Sequence, residues 1–340
     1  MKKTSVIILN WNGAELLKKF LPTVLIHTQS EDCEVVVADN ASSDNSVDVM
    51  KQHFPDVKLI LLDKNYGFAE GYNKALQQVD SKYVVLLNSD VETSPNWLSP
   101  LIEHLERNKN TAAVQPKILS YSNKSMFEYA GAAGGFIDRY GYPFCRGRIL
   151  HKLEEDKGQY DTPIEIFWAT GACLCMRRDD YMKAGGLDTE FFAHMEEIDL
   201  CWRLLARGKK IFCLPQSKVY HVGGASLDSE SPRKVYLNFR NNLLMIYKNA
   251  SLAKLIEVLF MRIVLDTAAA AHFLVQGKWK HAKAVLDAYA DFIKMNSSFK
   301  HKRKNNLKKT VQRNIPQLYE GSILFDFYFR RKRRYSEIKR

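Results

Sequence analysis

Four apolar runs end in polar side chains, three of them carboxylates: Ser5-Val6-Ile7-Ile8-Leu9 in Asn10, Val35-Val36-Val37-Ala38 in Asp39, Leu59-Ile60-Leu61-Leu62 in Asp63, and Tyr83-Val84-Val85-Leu86-Leu87-Asn88-Ser89 in Asp90. Runs this continuously apolar read as parallel strands buried on both faces, and open α/β sheets bind ligands beyond the carboxyl ends of their strands. Carboxylates delivered there bind metal or substrate, so residues 1–90 have the makings of half an active site.

A second acidic group is Glu196-Glu197-Ile198-Asp199-Leu200-Cys201-Trp202-Arg203. On a helix starting near Met195, positions 197, 200, 201, 204 and 205 share one face, which sets Glu197 at the rim of an apolar stripe. Desolvation there would raise its pKa toward that of a useful base, and the helix N-terminus would lower it. The sequence leaves that balance open. Glu196, Asp199 and Arg203 share another face, where Asp199 and Arg203 are spaced for an i, i+4 ion pair. His221 precedes Gly223-Gly224 at a strand end and is either a ligand or a structural histidine.

The elements that must position these groups alternate. Helical spacing runs from Gly13 to His27, a second helix follows Ser43-Asp44-Asn45-Ser46, a strand covers 57–62, a helix 68–79 and a strand 83–88, and Ser94-Pro95 opens another helix. Repeated βα units imply a parallel sheet with right-handed crossovers. Residues 120–163 carry glycines and aromatics without periodicity and read as a substrate-side excursion. A strand over Ile164 to Met176, a helix over 195–207 and short strands at 211–214 and 219–221 restore the order, and the pattern from Pro232 is helical.

Of the 340 residues, 46% are hydrophobic, ample for a core. Charge is uneven: from Lys278 onward 18 basic residues face 5 acidic ones, whereas the rest of the chain is close to neutral. Six cysteines without C-x-x-C spacing, and no secretory leader ahead of them, suggest a reduced, cytoplasmic setting. No uncharged stretch reaches the roughly 18 residues of a membrane span. Between Ser251 and Val275 the only charges are Lys254, Glu257, Arg262 and Asp266, gathered on half of a helix. With the basic runs at 300–304 and 330–334, this reads as a surface helix plus polybasic anchor on anionic lipid. A helical pair packed on the catalytic domain is the alternative, and nucleic acid the weaker third.

The first turn, Asn10-Trp11-Asn12-Gly13-Ala14-Glu15, has one glycine and cannot cradle a dinucleotide pyrophosphate. A diphosphate on this sheet would need a divalent cation, which an acidic turn at Asn88-Ser89-Asp90 can hold.

In order, Val6-Ile7-Ile8-Leu9-Asn10-Trp11-Asn12-Gly13, Ala38-Asp39-Asn40-Ala41-Ser42, Asn65-Tyr66-Gly67-Phe68-Ala69-Glu70-Gly71-Tyr72-Asn73, Leu87-Asn88-Ser89-Asp90, Gly185-Gly186-Leu187-Asp188, the Glu196–Arg203 segment and His221-Val222-Gly223-Gly224 resemble the family 2 glycosyltransferases, especially their bacterial rhamnosyltransferase-like branch. The resemblance covers about residues 4–245. It implies a GT-A type, mostly parallel α/β sheet flanked by helices, with a catalytic domain over 1–230 (nucleotide-sugar half 1–120, acceptor half 121–230) and a helical, basic extension over 231–340.

It further implies an inverting transfer from a nucleotide-diphosphate sugar to a glycan or lipid-linked acceptor in cell-surface polysaccharide synthesis, at the inner face of the cell membrane. Asn10, Asp39, Asn65, Gly67, Asn73, Asn88 and Asp90 would bind the nucleotide-sugar; for Asp39, an Asx turn with Ser42 and Ser43 is the plain alternative. Asp90 and His221 would hold Mg²⁺ or Mn²⁺. Trp168, Gly171 and Arg203 would line the acceptor side, with a structural ion pair as likely a role for Arg203. Glu197 would be the general base, with Glu196 the runner-up. Two departures stand out: Asn88 replaces the first acid of the D-x-D metal motif, and Glu196-Glu197 replaces Glu-Asp. Those departures keep open a non-catalytic membrane or nucleic-acid binding protein that kept the fold; the runner-up enzyme is another nucleotide-sugar user or a nucleotidyltransferase on the same sheet, against which the Asn10–Glu15 turn counts because it is no basic Gly-rich loop.

Overall fold

The computed structural model describes residues 2–338 except Glu31 and residues 224–230, so Gly224 of the last motif lies outside the described residues. The first half runs β1 (Thr4–Asn10), α1 (Ala14–His27), β2 (Cys33–Asp39), α2 (Ser46–His53), β3 (Lys58–Leu61), α3 (Gly67–Gln77), β4 (Tyr83–Asn88), β5 (Val91–Thr93), α4 (Ser99–Arg107) and β6 (Thr111–Ser120). The middle holds β7 (Gly135–Asp138), β8 (Pro143–Cys145), β9 (Arg148–Ile149), β10 (Lys152–Leu153), β11 (Ile164–Glu165), β12 (Cys173–Arg177), α5 (Arg178–Ala184), α6 (Glu196–Ala206) and β13 (Lys210–His221). The last third is α7 (Pro232–Asn249), α8 (Leu252–Val275), α9 (Trp279–Lys308), β14 (Leu318–Tyr319) and α10 (Ile323–Tyr328).

The main sheet has the order β11-β13-β6-β12-β4-β1-β2-β3, with β5 paired to β13. From β4 to β3 every pairing is parallel, and the register sets Asn10 opposite Asp39 and Leu9 opposite Asn88. The continuous apolar runs follow from burial on both faces. Val6, Ile8, Val85 and Leu87 pack with α1 and α4 residues such as Leu17 and Leu101, while Ile7, Val36 and Leu86 pack with Tyr72 and Leu76 of α3. β12 enters antiparallel between β4 and β6, and β13 runs parallel to β6.

Three expected elements shift. The helix expected at Ser94-Pro95 begins at Ser99, because Asn96 adopts φ 59° and Ser94 instead bonds the Lys218 carbonyl. Pro100 takes the first-turn place. The strand expected over Ile164 to Met176 is two strands, β11 and β12. Trp168 between them turns its indole onto Gly135, where an added Cβ would meet the ring at 2.1 Å. The strands expected at 211–214 and 219–221 are one, carried across a register shift between Leu214 and Lys218. The aperiodic excursion contains a second sheet, β10-β9-β8-β7-β14.

The last third packs on this frame through buried charge. Lys248 Nζ on α7 lies 2.7 Å from Asp188 and 2.9 Å from Asp199, and Arg203 Nε lies 2.8 Å from Asp199. Asn249 donates to the other Asp199 oxygen at 2.8 Å, and Lys302 of α9 reaches Asp188. Burial alone would raise the Asp188 pKa, but Lys248 and Lys302 hold it down at about 2. At the far end β14 pairs with β7, and the Ile323 amide donates to Asp138 at 2.9 Å.

Removing one partner of a buried ion network strands the others without solvent. Lys248→Ala should therefore cost about 3–5 kcal/mol of unfolding free energy, read from urea denaturation, and a loss under 1 kcal/mol would show that the network is not a stability element.

Candidate active site

Parallel register brings the polar strand ends together. Asn10 Nδ2 donates to Asp39 Oδ2 at 3.0 Å and to Ser42 Oγ at 3.2 Å, and Asp39 also accepts from the Ser42 amide and hydroxyl at 2.9 and 2.6 Å. The Ser42 amide lies three residues on, one further than in an Asx turn, and these bonds fix the Asp39 carboxylate at the carboxyl end of β2. Asn10 Oδ1 stays buried without a protein partner, and the Trp11 ring beside it is 48% exposed. Asn40, the residue after Asp39, organises the next loop: it donates to Asn65 Oδ1 at 3.1 Å and the Gly67 carbonyl at 3.0 Å, and accepts from the Tyr66 amide at 2.9 Å. Gly67 sits at φ +70°, where only glycine is at ease, and an added Cβ would meet the Phe192 ring at 2.5 Å.

Asp90 is delivered to His221 by the pairing of β5 with β13, which sets Val91 opposite His221. His221 Nε2 lies 3.1 Å from Asp90 Oδ1 and 3.4 Å from Asn88 Nδ2, and the Gly223 amide donates to Asp90 Oδ2 at 3.2 Å. The other ring nitrogen faces Glu128 at 3.4 Å. Burial favours a neutral ring, yet the two carboxylates outweigh it and push the His221 pKa up to about 10. Glu128 had no signal in the sequence, since it lies in the aperiodic stretch. Its place behind the imidazole is that of the outer carboxylates that orient metal-binding histidines.

Held protonated between two carboxylates, His221 can offer a nitrogen only once its ring gives up that proton, and Asp90 with the neutral ring would then supply an oxygen and a nitrogen of the kind that suits Mg²⁺ or Mn²⁺. Among the described residues no cluster of three or more His, Cys, Asp or Glu could hold a metal unaided. The donor set therefore suits a cation shared with diphosphate oxygens, in keeping with Asn88 in place of an acid.

Glu197 heads α6, half-buried above Leu200, Cys201, Leu204 and Leu205, all buried. The open balance is resolved in favour of burial. Desolvation outweighs the backbone amides of the helix start and raises the Glu197 pKa from 4.5 to about 7, and burial plus the neighbouring Glu197 raises Glu196 well above its usual value. Each carboxyl keeps one buried oxygen without a protein partner. The Trp168–Ala172 segment links this helix to the strand ends. The Ala169 amide reaches Cys201 Sγ at 3.5 Å, Gly171 packs against the Phe68 ring, and the Ala172 carbonyl accepts from the Asn88 amide at 3.0 Å.

Three expected site residues serve the protein itself. Arg203 is 4% exposed, and its three nitrogens bond Asp199 and the Ala184 and Gly186 carbonyls, so it belongs to the ion network and not to the acceptor side. Asn73 spends its amide on the Leu187 backbone and the Tyr181 hydroxyl, fastening α3 to the 181–187 turn and leaving little for a nucleotide. Trp168 is buried and donates to the Phe136 carbonyl at 3.0 Å, so only the backbone that follows it borders the cleft.

The fold agrees with comparison to known proteins. A family described as Glycosyl transferase family 2 matches residues 5–184. The chain belongs to glycosyltransferase family 2, an enzyme family, and has the GT-A fold. It is 24% identical over 232 residues to N-acetylglucosaminyl-diphospho-decaprenol L-rhamnosyltransferase of Mycobacterium tuberculosis, covering 64% of this chain and 75% of that one. It is also 24% identical over 223 residues to Rhamnosyltransferase WbbL of Escherichia coli, covering 64% and 82%. With O-antigen biosynthesis protein RfbC of Myxococcus xanthus it shares 27% identity over 234 residues, 66% of this chain but only 18% of RfbC's length. Among solved structures, Staphylococcus aureus TarS 1-349 with UDP aligns at a TM-score of 0.57 and 16% identity, over 90% of this chain and 88% of TarS. GalNAc-T7 with UDP, GalNAc and Mn²⁺ aligns at 0.57 and 16%, over 73% and 48%.

A carboxyl whose folded pKa is raised binds its proton more tightly in the folded state, so its contribution to stability falls as pH rises from about 4.5 to about 7. Glu197→Gln should thus melt higher than the parent above pH 7 and show a smaller advantage at pH 5. An unchanged melting difference between the two pH values would mean that the Glu197 carboxyl is not desolvated.

Proposed function

We propose that the protein is an inverting glycosyltransferase that moves a sugar from a nucleotide-diphosphate donor to a hydroxyl of a glycan or lipid-linked acceptor, in cell-surface polysaccharide synthesis. The observation that carries this reading is a half-buried Glu197, poised near neutrality, joined by the Trp168–Ala172 segment to a sheet edge bearing Asn10, Asp39 and Asp90. Glu197 takes the proton of the acceptor hydroxyl as that oxygen attacks the anomeric carbon. The new C–O bond forms on the face opposite the nucleoside diphosphate, the old C–O bond breaks, and its electron pair leaves on the diphosphate. One displacement inverts the anomeric centre.

Asp39 and Asn10 hold the nucleoside, since a carboxylate accepts from a base N–H or a ribose hydroxyl. Asn65 and Gly67 shape the loop over the donor. Asp90 and His221 would hold the divalent cation, which when bound offsets the charge of the departing diphosphate. Solved relatives of the fold carry Mn²⁺ with UDP and GalNAc in GalNAc-T7, and with GDP-Man in the Pyrobaculum calidifontis mannosyltransferase PcManGT, which supports a cation and a nucleotide-sugar here. Glu196, buried where Glu197 is half-buried, is the less accessible of the two as a base.

The reading extends to the membrane, with 1–230 as the catalytic domain and 231–340 as a membrane-associating extension at the inner face. α8 is long and apolar enough to cross a bilayer, with mean hydropathy 1.7 in its most apolar window. Its charged face, however, is docked. Arg262 pairs with Asp266 at 3.0 Å, and Asp266 accepts from the Tyr142 and Tyr289 hydroxyls at 2.7 and 2.8 Å. The opposite face presents Leu252, Ile256, Phe260, Ile263 and Val264, with Phe260 67% exposed. That arrangement favours a helix lying on lipid over one crossing it. Part of the basic charge is spent internally, Lys302 on Asp188 and Arg330 and Lys332 on Asp326.

Two outcomes test this. Asp90→Ala should lower nucleotide-sugar turnover at least 100-fold and abolish the Mn²⁺-dependent thermal shift with whichever of a panel of UDP-, dTDP- and GDP-sugars stabilises the parent; unchanged turnover removes Asp90 from the site. Phe260→Asp with Ile263→Asp should weaken sedimentation with phosphatidylserine vesicles about tenfold or more, since each side chain contributes roughly 1.5–3 kcal/mol when buried. Binding that persists in the double variant but falls in 0.5 M salt would assign the contact to basic residues alone.

A further inference from the structure

The turn leading into α6 is wound against its preference. Phe192, His194 and Met195 all adopt left-handed backbone, at φ 64°, 71° and 73°, though none is glycine. Such conformations persist only where the surroundings over-determine them, and they gather at working sites. What holds this one is a side chain of α7. Asn241 is fully buried, and its amide nitrogen lies 3.0 Å from the Phe191 carbonyl and 2.8 Å from those of Ala193 and His194. Three carbonyls of one turn converge on one NH₂ group.

The orientation of that amide is itself fixed. Arg240 Nε and Nη2 donate to Asn241 Oδ1 at 2.9 and 2.7 Å, and Nη2 also reaches the Glu190 and Phe191 carbonyls at 3.2 Å. With its oxygen gripped by a guanidinium, Asn241 can present only hydrogens to the turn. Next door, Asn242 donates to the Gly141 carbonyl at 2.8 Å, while Arg262 donates to its oxygen.

The far side of the same turn touches the donor loop. The Phe192 carbonyl accepts from the Phe68 and Ala69 amides at 2.8 and 3.2 Å, capping the start of α3, and the Phe192 ring fills the space that a side chain at Gly67 would need. Met195 is the residue before α6, two positions ahead of Glu197. A single five-residue turn therefore abuts the loop over the donor on one side and sets the first turn of the helix bearing the base on the other.

We infer that Asn241 is a positioning residue: by tying the Phe191, Ala193 and His194 carbonyls it keeps the turn wound, so that Glu197 and the Gly67–Phe68 loop are held in one fixed relation. This rests on Glu197 as the base for its kinetic consequence, but not for its structural one. Without the amide hydrogens, three carbonyls lose their shared partner and the strained residues are free to relax. The acid would then meet a shifted acceptor, and the Phe68 and Ala69 amides would lose their common cap.

Asn241→Asp keeps the shape and removes the donors. In the full chain it should lower kcat about 10- to 100-fold, move the acidic limb of the kcat–pH profile by half a pH unit or more, and speed hydrogen exchange together in peptides covering 67–70 and 190–199, with the β1, β2 and β4 amides unchanged. Arg240→Gln, at a partly exposed position, should do the same more weakly, and it decides the matter if Asn241→Asp does not fold. Parental kcat with an unmoved acidic limb, or exchange rising over the whole chain instead of in those two peptides, would overturn the proposal. Were Glu197→Gln to remain fully active, the base assignment would fail, whereas coupled exchange in the two peptides would still report the clamp.

Discussion

A carboxylate without water must be neutralised by geometry, and Asp199 is the carboxylate on which this molecule turns. It is fully buried between Lys248 of α7 and Arg203 of its own helix, with Asn249 on its second oxygen. Opposite charges close by offset the desolvation that each would suffer alone. Because Asp199 lies two residues beyond Glu197, the same contact that docks the last third of the chain also fixes the helix that carries the acid. The docking of the C-terminal helices and the placement of Glu197 thus share one set of side chains.

Much of the nucleotide half was legible because its signals are local. Uninterrupted apolar runs can only be strands covered on both faces, and parallel register then places Asn10, Asp39 and Asn88 along one edge. The hydrogen bonding of Asp39 to Ser42 was legible from residue types, though as an i, i+3 contact and not an Asx turn, as was the i, i+4 pairing of Asp199 with Arg203. What the spacing did not carry was the third partner. Lys248 is 49 residues from Asp199 and reads as an ordinary surface lysine on an amphipathic helix, so the burial that turns Arg203 into a structural element was invisible.

The same holds for Glu128 and Asn241. One lies in a stretch whose glycines obscure any period, and the other in a helix whose polar residues suggest solvent. Both act across long sequence separations, where pattern has no reach. The pKa of Glu197 shows a different limit. Helix start and apolar rim pull in opposite directions, and only the burial of the folded carboxyl decides between them. Trp168 failed for a steric reason: Gly135 offers a flat bed for its ring on the side away from the cleft.

The second sheet closes with β14, whose Leu318–Tyr319 lies parallel to β7 some 180 residues earlier, while Ile323 is latched to Asp138. During synthesis the parallel half can collapse early, since its strands pair across fewer than 100 residues, but the excursion around β7 waits for an edge strand some 180 residues further along. Until then its open edge is exposed, and a stalled or shortened chain would display an unpaired β-ribbon prone to self-association.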